Sequence, residues 1–88
     1  MPDRVCFVTG GASGIGAQCA RQFARQGELV VIADINERLG QAVVSEIHKE
    51  FGQGRAIFVL CNVMKGGAIR SALEEAINAY GRLDVAIK

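Results

Sequence analysis

Two hydrophobic patterns alternate along the 88-residue chain. The first consists of short, nearly continuous apolar runs rich in Val, Ile and Phe. Such runs are typical of strands that are buried on both faces of a parallel sheet. They predict strands at Arg4–Val8, Leu29–Ala33, Ala56–Cys61 and Leu83–Ile87.

The second pattern has apolar residues at the three- and four-residue spacing of amphipathic helices. The apolar positions of the predicted helices are Ile15, Cys19 and Phe23; then Leu39, Val43, Ile47 and Phe51; then Ile69, Ala72, Leu73, Ala76, Ile77 and Tyr80. A glycine follows each stretch, at Gly27, Gly52 and Gly81, which is a common way to end a helix.

The resulting order, β-α-β-α-β-α-β, predicts an α/β fold with a parallel sheet. Right-handed crossovers stack the first three strands outward, and a doubly wound arrangement places the fourth beside the first. We therefore predict that residues 1–88 form a Rossmann-like sheet of order 3-2-1-4. Its switch point lies beside the loop after the first strand.

Composition narrows the possible partners. The net charge is +1 with both signs scattered, so no nucleic-acid surface or membrane-surface patch is indicated. No apolar run reaches the ~20 residues of a membrane span, and no secretory leader precedes the first strand. The sequence has three cysteines, Cys6, Cys19 and Cys61, and no two of them form a Cys-x-x-Cys motif. This spacing predicts buried, reduced thiols and a cytoplasmic protein rather than a metal or redox site.

The segment "VTGGASGIG", Val8 to Gly16, joins the first strand to the first helix. Glycines permit a tight turn and close approach of a ligand, and the helix start offers free N–H groups to a phosphate. Ser13 either caps that helix or bonds the phosphate, or does both. Ala17 and Gln18 stand where an ATPase loop needs Lys and Ser/Thr, and Gly-x-Gly-x-x-Gly is absent because Cys19 replaces its last glycine.

Asp34 ends the second predicted strand, twenty residues after Gly14. An acid at this position accepts hydrogen bonds from the ribose hydroxyls of a bound adenosine. The competing interpretation is that Asp34 ends the strand and caps the next helix near Asn36. The glycine loop upstream favours the ribose role, and the carboxylate would disfavour a 2′-phosphate, which predicts NAD rather than NADP.

The chain resembles the N-terminal part of short-chain dehydrogenase/reductases. The resemblance rests on "VTGGASGIG", "AD" at Ala33–Asp34, "CNV" and "YGRLDVAI", and "DINERLGQAV" is similar to alcohol and 15-hydroxyprostaglandin dehydrogenases. It implies NAD as cofactor, with the loop around the pyrophosphate, two residues at the ribose and three around adenine. These positions are Gly10, Gly11, Ala12, Ser13, Gly14, Ile15 and Gly16; Asp34 and Ile35; Cys61, Asn62 and Val63.

The chain departs from the family pattern at two places. Asn62 stands where the family commonly has an Asp that contacts the adenine amino group, and "LDVAIK" replaces the usual continuation into Asn-Asn-Ala-Gly. The family's Ser and Tyr-x-x-x-Lys are not found, since Tyr80 is followed by Asp84 after four residues. Tyr80 is therefore predicted to be a helix-core residue, and no role in catalysis is assigned to His48.

We expect the chain to be the first part of an NAD-dependent alcohol–ketone oxidoreductase, cut before the catalytic half. By itself, this part should bind NAD but be inactive. Its open fourth strand predicts self-association. The alternative is a non-enzymatic nucleotide-binding or interaction module that pairs with a full-length relative. A methyltransferase-like domain is disfavoured by the glycine spacing.

Overall fold

The structure, a computed structural model, describes residues 4–62 and 64–87. Their elements are β1 (Val5–Thr9), α1 (Gly14–Arg25), β2 (Leu29–Asp34), α2 (Glu37–Phe51), β3 (Ala56–Leu60), α3 (Ala68–Tyr80) and β4 (Val85–Ile87). The strands pair in the order β3-β2-β1-β4, and every pairing is parallel. The predicted Rossmann-like fold and strand order are confirmed.

The strand boundaries differ from the prediction by one or two residues. β1 and β2 extend to Thr9 and Asp34, and β3 ends at Leu60, one residue before the predicted end, although Cys61 N still donates to Asp34 O. The largest difference is in β4, which begins at Val85 rather than Leu83. Just before it, the Asp84 side chain accepts the Val5 N–H, so a side chain occupies a donor that a longer ladder would use.

Helices cover the two faces of the sheet unequally. α1 and α2 pack on one face over Val8, Val30 and Ile32, whereas α3 packs on the other over Phe7 and Val31. This two-against-one arrangement follows from right-handed crossovers that wind in opposite senses from β1.

The buried stripe of α1 differs from the prediction. It consists of Ala17, Ala20 and Ala24, while Ile15 is 81% exposed and Cys19 is only partly buried. Small residues let α1 lie close to the sheet, and Ile15 belongs to the first turn, which projects past the strand ends. Ile77 of α3 is likewise exposed, whereas Val43 and Ile47 of α2 are buried as predicted.

Glycines end the three helices, as the sequence predicts. Gly27 follows the C-cap of α1, and Gly52 and Gly81 are the C-caps of α2 and α3, each with positive φ. Among the described residues, no helix has the length and apolar character that crossing a bilayer demands.

Candidate cofactor site

The glycine loop is shaped by three glycines with different roles. Gly10 and Gly14 have φ of +69° and +57°, and a Cβ at either would meet nothing within 4 Å, so both face open space. A Cβ on Gly16 would overlap the Gly10 carbonyl group. Gly16 therefore lets α1 begin directly against the loop, while the absence of side chains at Gly10 and Gly14 leaves space for a ligand close to the main chain.

The start of α1 offers donors to an anion. Ser13 is the N-cap in extended conformation, but its side chain makes no capping hydrogen bond. The backbone N–H groups of Gly14, Ile15 and Gly16 have no acceptor within the helix, because the first intrahelical bond runs from Ala17 N to Ser13 O. With no acidic residue in the first turn, the positive end of the helix is uncompensated.

Asp34 connects the loop to the end of β2. Its Oδ2 accepts the Ala12 N–H at 3.1 Å and its Oδ1 accepts the Asn36 N–H at 2.9 Å. The helix cap itself is Asn36, whose Oδ1 accepts the Leu39 N–H at 3.0 Å. Asp34 thus does not cap α2; it fixes the loop, and each carboxylate oxygen retains capacity for a further donor.

A cleft of about 210 Å³ lies where the ends of β1, β2 and β3 meet. Backbone hydrogen bonds hold its walls together, with Gly10 N donating to Ala33 O at 2.8 Å and Cys61 N donating to Asp34 O at 3.0 Å. The lining residues are Gly10, Asp34, Ile35, Cys61, Asn62 and Met64. A cleft of this size fits one part of a large ligand, such as a base with its sugar, rather than a whole dinucleotide.

The cleft brings together five of the predicted site residues and adds Met64, which the sequence analysis missed. Asn62 Oδ1 accepts the Met64 N–H at 3.0 Å, the kind of bond found in an Asx turn, and Met64 lines the cleft. Ile35 and Met64 are 62% and 88% exposed, so two large apolar side chains face solvent here. In the sequence, the signal for that turn is Asn62, which stands two residues before Met64.

The other predicted residues lie along the loop. Gly11 and Ala12 are buried beneath it, with a Cβ on Gly11 reaching Ile32, so these two support the loop rather than line the cleft. Ser13, Gly14 and Ile15 are exposed at the helix start. Val63 lies outside the described residues.

Cys61 is a buried wall of the cleft, and its surroundings favour the thiol over the thiolate. Burial raises the pKa of its thiol, and the Asp34 carboxylate raises it further. The thiol is therefore protonated at neutral pH, whereas nucleophilic attack needs the thiolate. In residues 4–62 and 64–87, no group of three or more His, Cys, Asp or Glu is arranged to hold a metal ion.

Tyr80 and His48 both form hydrogen bonds at the amino-terminal edge of the sheet, which is the edge opposite the cleft. The Tyr80 hydroxyl donates to Gly54 O at 3.0 Å, in the turn before β3, and His48 Nε2 lies 2.8 Å from Ala56 O at the first residue of β3. Burial raises the pKa of Tyr80. Tyr80 packs partly buried against the core beneath α3, in agreement with the prediction of a structural role.

Comparison with known proteins assigns this arrangement to a class. The family model described as short chain dehydrogenase matches residues 4–88. A short-chain dehydrogenase/reductase from Burkholderia phymatum, solved in complex with NAD, superposes with a TM-score of 0.88 at 25% identity, covering 97% of this chain and 30% of that one. The chain belongs to the short-chain dehydrogenase family.

Individual relatives show how much of such a protein these residues represent. The chain is 42% identical to momilactone A synthase of Oryza sativa subsp. japonica over 97% of its own length and 30% of that enzyme's. It is 40% identical to an uncharacterized oxidoreductase of Bacillus subtilis, of which it covers 12%. The chain thus spans about a third or less of the curated relatives it matches.

Proposed function

We propose that residues 1–88 form the adenosine- and pyrophosphate-binding part of an NAD site. In a whole protein of this family, that site serves oxidation of an alcohol or reduction of a ketone, with NAD carrying the hydride. The observation that supports this most directly is the meeting of the Gly10 turn, the Asp34 carboxylate and the Asn62 turn around one cleft, beside the free N-terminus of α1.

Each part of the ligand has a counterpart in this arrangement. The N–H groups of Gly14, Ile15 and Gly16 meet the pyrophosphate, and the Ser13 hydroxyl, free of a capping bond, adds a donor. Asp34 accepts from the ribose hydroxyls, where two acceptor oxygens suit a vicinal diol. Ile35 and Met64 offer apolar surface to the two faces of the adenine ring.

These 88 residues are not expected to turn over a substrate by themselves. Their one tyrosine is held at the amino-terminal edge of the sheet by its bond to Gly54, while the cleft lies at the carboxyl-terminal edge. Asp84, not Lys, follows it four residues later. General acid–base catalysis needs the proton donor within hydrogen-bond reach of the reacting group.

Binding of ligand fragments tests this proposal. Calorimetry on the 88-residue chain should show NAD and ADP-ribose binding within about threefold of each other, at roughly tens of micromolar, because both contain the part that the chain contacts. Nicotinamide mononucleotide should bind much more weakly. Tighter binding of the mononucleotide than of ADP-ribose would contradict the proposed site.

A second candidate function is association through the open sheet. β4 pairs with β1 on one side, and its described Ala86 is exposed. An unpaired strand edge is a template for further pairing, either with another copy or with a full-length relative. Sedimentation of the 88-residue chain at tens of micromolar tests this, and a single monomeric species would count against it.

A further inference from the structure

The sheet ends at β3, which pairs with β2 on one side and with no strand of the described residues on the other. Val30 N donates to Arg55 O at 3.0 Å, and Cys61 N donates to a carbonyl oxygen of β2 in the same way, so the odd-numbered residues of this stretch point their backbone groups towards β2. Because that direction alternates along a strand, the even-numbered residues point theirs away from β2. We call this the free side of β3; its residues are Ala56, Phe58 and Leu60.

His48 occupies the first position on the free side. Its Nε2 lies 2.8 Å from Ala56 O and is the donor, because a carbonyl oxygen can only accept. His48 belongs to α2, which packs against β3, and Ala56 is buried. An added strand would therefore have to displace the imidazole ring before its own N–H could reach Ala56 O.

Little else protects the free side. Natural sheets commonly end in a strand that carries a charged residue, a proline or a bulge. β3 has the sequence AIFVL, without charge or proline, and its register with β2 is unbroken. Leu60 is 63% exposed, and within residues 4–62 and 64–87 the outward backbone groups of Phe58 and Leu60 have no partner. Without His48, all three positions would be open to a further strand.

The strand that matches the free side is β3 of a second copy, because both strands are apolar and uncharged, and a twofold axis perpendicular to the sheet pairs them antiparallel. With Phe58 opposite its counterpart, each Ala56 faces the Leu60 of the other copy. Each Leu60 N–H then needs Ala56 O of the other copy as its acceptor. Since His48 holds that oxygen in both copies, it blocks the ladder at both ends.

We propose that His48 is a capping residue of the sheet, whose bond to Ala56 O keeps β3 from pairing with β3 of a second copy. β3 and β4 are the two outermost strands, so the proposal is independent of association through β4 and of the NAD site. It predicts that loss of the donor, rather than loss of stability, allows β3 to pair.

Hydrogen exchange of the Phe58 and Leu60 amides, followed by nuclear magnetic resonance, tests the proposal. Both amides point to solvent in the monomer and are protected only when β3 is paired, whereas association through β4 leaves them unchanged. In His48→Ala, their exchange should be about threefold slower at a concentration of about 400 micromolar than at about 20 micromolar, as for a dimer with a Kd of about 100 micromolar. In the unsubstituted chain, the rate should be the same at both concentrations.

Two variants are matched controls. His48→Gln carries an amide nitrogen at a similar reach to Nε2 and should behave as the unsubstituted chain does. Tyr80→Phe removes a bond of the same kind, from its hydroxyl to Gly54 O, but this bond lies in the turn before β3, so exchange should again be independent of concentration. His48→Ser, which is also too short to reach Ala56 O, replaces His48→Ala if circular dichroism shows that the alanine variant does not fold.

Four results would overturn the proposal. Exchange that is independent of concentration in His48→Ala or its serine replacement would show that β3 does not pair even when its free side is open. Slowing with concentration in the unsubstituted chain would show that His48 does not prevent pairing, and slowing in His48→Gln would show that the donated bond is not what prevents it. Slowing in Tyr80→Phe would show that any lost bond near the start of β3 has the same effect.

Discussion

The two edges of the sheet use their polar groups in opposite ways. At the amino-terminal edge, charged side chains are hydrogen-bonded to other groups of the chain: Arg82 donates twice to Asp84, Asp84 accepts the Val5 N–H at 2.8 Å, and Glu28 accepts from the Cys6 thiol at 2.8 Å. At the carboxyl-terminal edge, the start of α1 and the Asn62 amide keep donors that the described residues do not use. The polar groups named at the first edge are paired with one another, whereas those named at the second have no partner among the described residues and are the ones that we propose to bind NAD.

Because of this difference, the polar groups of one edge contribute to the stability of the fold, and those of the other edge are available for ligand binding. Two of the bonds at the amino-terminal edge, from Val5 N–H to Asp84 and from the Cys6 thiol to Glu28, join residues far apart in sequence and therefore help to hold the strands in register. Unsatisfied donors at the other edge stay exposed to water, where they cost little until a ligand replaces the water. Substitutions at the two edges should therefore affect different measurements.

The largest effect is expected for Gly16→Ala, compared with Gly14→Ala. The methyl group on Gly16 meets the Gly10 carbonyl group, so the loop or helix must move, and the free energy of unfolding should fall by about 3 kcal/mol. At Gly14 the methyl group enters open space, and the positive φ costs about 1 kcal/mol. Thermal unfolding followed by circular dichroism measures both.

Binding of NAD should distinguish the same pair in a second way. Gly14→Ala places its methyl group where the pyrophosphate is proposed to lie, so affinity should fall about tenfold or more in a protein that still folds. If Gly14→Ala is the less stable variant, or if it binds NAD as the unsubstituted chain does, the separate roles assigned to these glycines are wrong.

The preference for NAD over NADP tests the Asp34 carboxylate. A 2′-phosphate about 4 Å from it meets a repulsion of roughly 4 kcal/mol per charge pair at an effective dielectric near 20, and a third of that gives about a tenfold preference. Asp34→Asn keeps an oxygen for the Ala12 N–H and removes the charge. The preference should shrink in this variant and at high salt; equal binding of both cofactors by the unsubstituted chain would contradict the assignment.

Most of this architecture is predictable because it depends on short-range patterns. Continuous apolar runs and helix-ending glycines place every element, and the sheet order follows from general rules of handedness. Ile15 was misassigned because its spacing is helical while its position in the first turn carries it beyond the sheet. Met64 was missed because its place in the cleft depends on a hydrogen bond to Asn62 that hydrophobic periodicity does not encode.

A pH dependence is expected from the amino-terminal edge. Hydrogen bonds from Arg82, and then from the Val5 N–H, hold the pKa of Asp84 below its usual range. A depressed pKa in the folded state gives stability that is present above the unfolded pKa of about 3.9 and is lost as pH falls through the folded value. The midpoint of urea unfolding should therefore fall below pH about 4 more steeply for the unsubstituted chain than for Asp84→Asn. Parallel curves would show that the exposed pair contributes nothing.

Cysteine labelling compares the two edges within one molecule. Cys6 at the amino-terminal edge and Cys61 at the cleft are both buried, and the thiolate is the form that reacts. Burial, with the bond to Glu28, raises the pKa of Cys6 to about 12, so Cys6 should react slowest. Partly buried Cys19 should react first.

NAD then shows whether Cys61 reacts by local opening of the cleft or by unfolding of the whole chain. At a free NAD concentration of about three times its Kd, about a quarter of the protein is unliganded, so labelling of Cys61 through local opening should slow about fourfold. Cys6 should be protected equally only if both thiols react through global unfolding. Mass spectrometry of each cysteine peptide over time gives the two rates together. Protection confined to Cys61 would establish that the carboxyl-terminal edge, where NAD is proposed to bind, opens independently of the rest of the sheet. Protection confined to Cys6 would indicate that NAD binds at the amino-terminal edge and would contradict the proposed site.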